Sequence, residues 1–153
     1  LLLWPLHLAA AVNRACWLRH ARDHDAITPR LALGSNRAAV SFAAVVDTCA
    51  ELPPRGRPAH YRCVPMLDMV APEADELRRA AAAIEALLRT QPAPVLVCCA
   101  LGYGRSVATL VTWLVRYGDC ADMDDALARI RQTRPLARLP DETRAAVAQA
   151  IAP

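Results

Sequence analysis

The sequence predicts an α/β domain with a mainly parallel central sheet of four to five strands flanked by helices. Three observations carry this. Short apolar runs alternate with longer stretches of helical periodicity, the pattern of strand–helix crossover units. One run, Val95-Leu96-Val97-Cys98, is continuously apolar between Gln91-Pro92-Ala93-Pro94 and a glycine-bearing loop, as in a strand buried on both faces. Behind that loop, Val107 to Val115 is apolar nearly all round, which marks the central buried helix.

Taken in order, the chain begins with an apolar stretch, Leu1 to Val12, too short to span a bilayer and without a signal peptide's charged leader. Two readings stand open: a helix packed on the domain, or the tail of an upstream membrane segment. Trp4 with Arg14, Arg19 and Arg22 favours the second, with the domain on the cytoplasmic side and a membrane tether N-terminal to Leu1. Residues 1–24 are therefore set apart as an N-terminal helical segment and 25–153 as the main domain.

Arg22-Asp23-His24-Asp25 reads as a polar break. Ile27 to Gly34 reads as an edge strand interrupted by Pro29. Asn36 to Phe42 is a short helix with Ser35 or Asn36 at its cap. Ala44 to Thr48 is a second apolar strand, and Glu51 to Pro58 is a loop of turn-forming residues. Tyr61 to Met66 is the next strand, with Pro65 pressing on its end. A loop, Leu67 to Pro72, precedes a helix from Glu73 to Thr90 in which Leu77, Ala80, Ala81, Ile84, Leu87 and Leu88 keep helical spacing. After the central helix Gly118 stands at a C′ position. Asp122 then caps a helix with Met123, Ala126, Leu127 and Ile130 inward, ended by Arg134-Pro135. A last helix runs from Pro140 to Ala150.

With 153 residues, 55% of them hydrophobic and 22% charged, the chain is the size of one globular domain with a real core. Its net charge of +3 is scattered, which argues against nucleic acid as a partner and suits an anionic substrate. Six cysteines (Cys16, Cys49, Cys63, Cys98, Cys99, Cys120) lack a disulfide-scaffold rhythm and read mostly as buried thiols in a reducing, cytoplasmic setting. No paired Cys-x2-Cys motif exists, so no metal or other cofactor is expected. His20 and His24, four residues apart, read as a solvated helix face because no third ligand is evident.

The chemistry concentrates at Cys99-Ala100-Leu101-Gly102-Tyr103-Gly104-Arg105-Ser106. A short loop feeding a helix N-terminus aims successive backbone N–H groups into one concavity, which suits phosphoryl oxygens. Gly102 and Gly104 are expected to supply the backbone torsions of that turn. Arg105 offers a planar fork that can hold two phosphate oxygens. Beside a helix start the cation is otherwise unfavourable, so its presence points to a bound anion. Helix dipole, N–H groups and guanidinium all favour thiolate at Cys99 over thiol. Ser106 can donate its hydroxyl to that sulfur and ease its departure. The Gly102-x-Gly104 spacing also mimics a dinucleotide fingerprint, but no second parallel strand with an acidic residue follows the helix.

The Cys-x5-Arg-Ser loop between a buried strand and a buried helix resembles the signature loop of the cysteine-dependent protein tyrosine phosphatases. The short chain points to the dual-specificity branch. The resemblance runs at pattern level from Ile27 to Arg134. Ile27 to Ser35 resembles that family's opening strand and turn, and Val45-Val46-Asp47 followed by Glu51 resembles its second strand. Tyr61 to Asp68 resembles the strand leading to the general-acid loop, with Asp68 lying 31 residues before Cys99. The resemblance implies Cys99 as nucleophile, Arg105 as phosphate and transition-state binder, Asp68 as general acid and then base, and Ser106 as helper of the leaving thiolate. Ala100, Leu101, Gly102, Tyr103 and Gly104 would line the phosphate site. Asp75 competes for the acid role, but sits inside the following helix and faces solvent.

The chain departs from the family where a histidine usually precedes the nucleophile; here it is Cys98. Reduced activity or a higher pH optimum is expected from that change. The Cys-Cys version resembles a bacterial subgroup joined to a membrane phosphatase-like segment. Cys98 either supports the loop from below or links reversibly to Cys99; strain in a disulfide between neighbours favours the first. Cys49 or Cys63 could trap an oxidised Cys99 instead. Tyr103 either lines the pocket rim or faces solvent.

The expected function is therefore phosphomonoester hydrolysis through a phosphocysteine, on phosphotyrosine and phosphoserine/threonine in proteins. A phosphorylated lipid or small molecule is the alternative substrate with the same chemistry. A non-catalytic phosphate-binding module is the rival from another class.

Overall fold

The computed structural model describes residues 22–152 apart from 55 and 57, together with Leu8 and Val12. The N-terminal segment 1–24 therefore lies mostly outside the described residues; within it Leu8 and Val12 are helical and exposed. No helix among the described residues is long and apolar enough to cross a membrane.

Five strands form one sheet: β1 (His24–Thr28), β2 (Leu31–Ser35), β3 (Ala44–Cys49), β4 (His60–Met66) and β5 (Val95–Cys99). Their order is β1-β2-β5-β3-β4, with β1 antiparallel to β2 and all other pairs parallel. The reading of Ile27 to Gly34 as one interrupted strand needs correction. Pro29 and Arg30 make the turn of a hairpin, since proline fixes φ and lacks the N–H that a ladder needs. His24 consequently belongs to a strand and not to a helix face; its ring meets Phe42 edge-on, with centroids 5.0 Å apart. At the other edge β4 tolerates Pro65, as an edge strand can.

Four α-helices follow: α1 (Ala74–Thr90), α2 (Arg105–Arg116), α3 (Met123–Thr133) and α4 (Asp141–Ile151). In α1, Glu73 and Glu76 form a reciprocal capping box. In α3, Asp122 accepts from the Asp125 N–H. Asn36–Ser41 is a 3-10 helix rather than an α-turn. Strand alternation sorts the core into two layers. Leu31, Leu33, Val46, Val95 and Val97 face the side on which all four α-helices pack. Ala32, Val45, Leu96 and Cys98 face the other, against Ala38 and Ala39 of the 3-10 helix. Among the described residues the four α-helices thus share one face of the sheet, and the 3-10 helix covers the other.

Helix α2 sits at the centre, buried from Arg105 through Leu114. Gly118 follows its end, yet not in the left-handed region. A side chain there would meet the Leu114 carbonyl at 2.6 Å, so close approach requires the glycine.

Candidate active site

The loop between β5 and α2 brings Cys99, Gly102, Arg105 and Ser106 together, and the loop after β4 adds Asp68. Cys99 ends the buried central strand, so its side chain points to the α2 side. Its Sγ lies 3.3 Å from the Ser106 Oγ and accepts from the Gly102 N–H at 3.2 Å. Burial alone would push this thiol up. The Arg105 guanidinium, the Ser106 hydroxyl and the N–H groups of Ser106 and Gly102 outweigh it and hold the thiol below its ordinary value. The lowering thus arises without the histidine that Cys98 replaces.

Arg105 is only 7% exposed and almost wholly committed to the protein. Its two Nη atoms donate to the Glu51 carboxylate at 2.7 and 2.6 Å, and Nη1 also donates to the Met66 carbonyl at 2.9 Å. Asp68 Oδ1 stands 3.3 Å from Nη2. The guanidinium's end-on fork, expected to be open for phosphate, is therefore occupied by Glu51. What remains is the side-on edge formed by Nε and Nη2, and Asp68 touches that edge. Burial works against Glu51, but its hydrogen bonds to Arg105 and that residue's charge hold its carboxyl below the usual range. Glu51 is steadied by its neighbours, since the buried Asn36 donates to the Leu52 carbonyl at 2.9 Å.

Gly102 adopts φ of +78°, and a side chain there would strike the Gly34 carbonyl group at about 2.4 Å. The loop thus needs glycine at that position twice over, for torsion and for its approach to β2. Gly104 is different: it caps α2 at φ of −126°, with open space where a side chain would go. The expectation that both glycines serve the turn holds in the structure for Gly102 alone.

Beneath the loop lies a residue read from the sequence only as the end of a helix. Arg134 is 2% exposed and donates from Nε to the Gly102 carbonyl at 2.7 Å and from Nη2 to the Leu101 carbonyl at 3.0 Å. Its Nη1 pairs with Asp25 Oδ2 at 2.6 Å, and its Cζ stands 4.2 Å over the Tyr103 ring. A planar trans peptide points its C=O and N–H in opposite directions. Pulling the Leu101 carbonyl down toward Arg134 therefore turns the Gly102 N–H up toward the Cys99 sulfur. Pulling down the Gly102 carbonyl turns the Tyr103 N–H the same way. The only sequence signal for this role was an Arg-Pro pair at a helix end.

Tyr103, so stacked, lines a cavity of about 490 Å³ together with Gly104, Arg105, Asp68, Met69, Val70 and Arg138. That puts it at the rim. Ala100 and Leu101 instead pack against Cys49 and Leu52. Asp75 pairs with Arg78 at the surface, outside this cavity's lining. Cys98 lies on the opposite face of β5 from Cys99, among Ala32, Val45 and Leu96. A link between the two is therefore opposed by strand alternation, and the role of support from below fits the geometry. All five described cysteines are free, and Cys63 is exposed rather than buried, because it sits on the edge strand. Burial and the neighbouring Glu51 charge push the Cys49 thiol up to about 12. Among the described residues, no cluster of three or more His, Cys, Asp or Glu could hold a metal ion.

Such a site can hold a buried thiolate in the loop that carries a locked cation, with a solvent-facing carboxyl at the lip of the adjoining cavity. Comparison with known proteins agrees with that chemistry. Residues 31–145 match the family described as dual specificity phosphatase, catalytic domain. A mouse putative dual specificity phosphatase, solved with zinc tungstate, is 25% identical over 86% of this chain and 89% of its own, with a TM-score of 0.73. Tk-PTP in its active form is 26% identical over 84% and 96%, with a TM-score of 0.71. Human DUSP28 is 23% identical over 85% and 93%, with a TM-score of 0.74. No curated protein sequence matches the chain.

Proposed function

The chain belongs to the dual specificity phosphatase catalytic-domain family and is a cysteine-dependent phosphatase, and from that premise we propose that it hydrolyses phosphotyrosine and phosphoserine/threonine in proteins through a phosphocysteine on Cys99. The observation that carries the reading is the Cys99 sulfur held at the start of α2 by the Ser106 hydroxyl and the Gly102 N–H, in the same loop as Arg105, which meets Asp68 at 3.3 Å beside an open cavity.

In the first step the Cys99 thiolate attacks phosphorus. The loop N–H groups and the side-on Nε/Nη2 edge of Arg105 hold the equatorial oxygens, which gain charge in the transition state. Glu51 keeps the guanidinium in place from its other edge. Asp68, 54% exposed at the lip, donates a proton to the leaving alkoxide or phenoxide as the P–O bond breaks. In the second step Asp68 takes a proton from water, which attacks phosphorus and releases phosphate. The sulfur departs as thiolate, stabilised by the Ser106 hydroxyl and the Gly102 N–H.

A phosphorylated lipid is the second reading. Leu67, Met69 and Val70 flank Asp68 with apolar surface, 65%, 99% and 57% exposed. A membrane tether N-terminal to Leu1, and kinship with a bacterial Cys-Cys subgroup, would accompany either substrate.

The test is hydrolysis of an aryl phosphate in chelator across pH, with wild type, Cys99→Ser and Asp68→Ala side by side. Turnover by wild type and none by Cys99→Ser is expected. A wild type that is inert at every pH yet binds vanadate would replace the enzyme with a phosphate-binding module. Phosphopeptides and phosphoinositide vesicles then separate the two substrate readings.

A further inference from the structure

Every described arginine but one gives its guanidinium to a carbonyl or a carboxylate of the protein. The exception is Arg138. Its backbone N–H donates to the Tyr103 carbonyl at 2.8 Å, which anchors it to the phosphate loop itself, two residues from Arg105. Its side chain is exposed and lines the same cavity as Arg105 and Tyr103. In a chain that pairs its other described arginines, an unneutralised guanidinium at the lip of an anion site has a charge to offer a ligand.

We propose that Arg138 forms an anion subsite beside the phosphate loop, which takes an acidic side chain flanking the phosphorylated residue of a protein substrate. The proposal rests on the phosphatase reading above and names a substrate feature for it. Residues next to the phosphorylated one lie about 3.5 Å further along an extended chain, within the span of such a lip. A guanidinium suits a carboxylate because it can donate two parallel hydrogen bonds. The other charges in the cavity wall shape the preference. Asp68 already faces Arg105, whereas Glu142, in the first turn of α4, has no partner among the described residues. An acidic side chain is therefore favoured on the Arg138 side of the cavity and opposed on the Glu142 side.

The experiment compares two phosphotyrosine peptides that differ only in Glu or Gln at one position beside the phosphorylated residue, the pair being made once for each side. Binding to the Cys99→Ser protein and kcat/KM of the active protein are measured, with and without Arg138→Ala or Arg138→Glu. For the side that meets Arg138 the acidic peptide should be preferred about threefold to fivefold, the range of a solvent-screened ion pair, and the preference should shrink with salt. Arg138→Ala should erase it and Arg138→Glu reverse it, through KM, with p-nitrophenyl phosphate turnover unchanged. Equal affinity for the two peptides of each pair, or a preference that survives Arg138→Ala, overturns the subsite. An Arg138 dependence confined to phosphoinositide vesicles overturns it in favour of a lipid headgroup. If the protein turns over neither peptide nor aryl phosphate, the phosphatase reading fails, and the binding arm still decides the subsite.

Discussion

On the α2 side of β5, Cys99 meets a guanidinium, a hydroxyl and a helix start, and its thiol is held low. One residue earlier, on the other side, Cys98 lies among Ala32, Val45 and Leu96, with Asp47 in register on β3. There burial, then Asp47 and the charge of Cys99, push the thiol well above its ordinary value. Asp47 is itself raised by burial, although it accepts from the Cys49 N–H at 2.9 Å and the Tyr61 hydroxyl at 3.0 Å. Both cysteines are buried, so burial does not separate them. Donors aimed at one sulfur and acceptors near the other do. The Thr48 hydroxyl bonds the Cys98 carbonyl rather than its sulfur, so it steadies the strand without ionising the thiol.

The sharpest way to break this contrast is to make the same change on each face. Cys99→Ser should lower aryl phosphate turnover at least about 10³-fold, because an alcohol there has no thiolate to offer. Cys98→Ser should leave turnover within about threefold of wild type. A comparable loss at both positions would show that the two faces act as one unit.

Removing the support beneath the loop should have the next largest effect. Arg134→Met takes the buried cation from Asp25 and leaves it only the exposed Arg22 at 3.7 Å, which costs about 3–5 kcal/mol and should lower the melting temperature by roughly 6–20 °C. Adding Asp25→Asn should recover part of that loss. A melting curve within a degree of wild type would mean that the pair contributes little to the fold.

The smallest effect should come from the hydroxyl at the sulfur. Ser106→Ala removes one donor to the thiolate, so the acid limb of the pH–rate profile should move upward. The sign follows from the shift: a group held low ionises at lower pH, and losing its donor returns it toward the free thiol. For the same reason, alkylation as pH rises should reach Cys99 before Cys63, although residue 63 is exposed, because partial desolvation of its sulfur, with Asp47 nearby, outweighs the Tyr61 hydroxyl and raises the latter. Mass spectrometry of the alkylated protein would show the order. Unchanged limbs, or Cys63 reacting first, would leave the contrast without its electrostatic cause.

Much of the fold was legible in the sequence because its signals are local. Helical periodicity marked α1, apolar runs marked β3 and β5, and Asp122 announced α3. The hairpin was missed because Pro29 was read as an interruption within a strand, when the antiparallel return of β2 makes it a turn. Cys63 was misjudged because its strand looks apolar, and exposure depends on being the last strand in the sheet.

By itself the sequence determined that Cys99, Gly102, Arg105 and Ser106 would converge, because eight consecutive residues between a strand and a helix have few ways to run. Only the tertiary structure decided what holds them. Glu51 reaches Arg105 across 54 residues and Asp25 reaches Arg134 across 109, distances over which composition and spacing carry no pairing information. Charges that far apart in the chain are committed to each other only when packing removes them from water, since burial makes an unpaired charge too costly to keep.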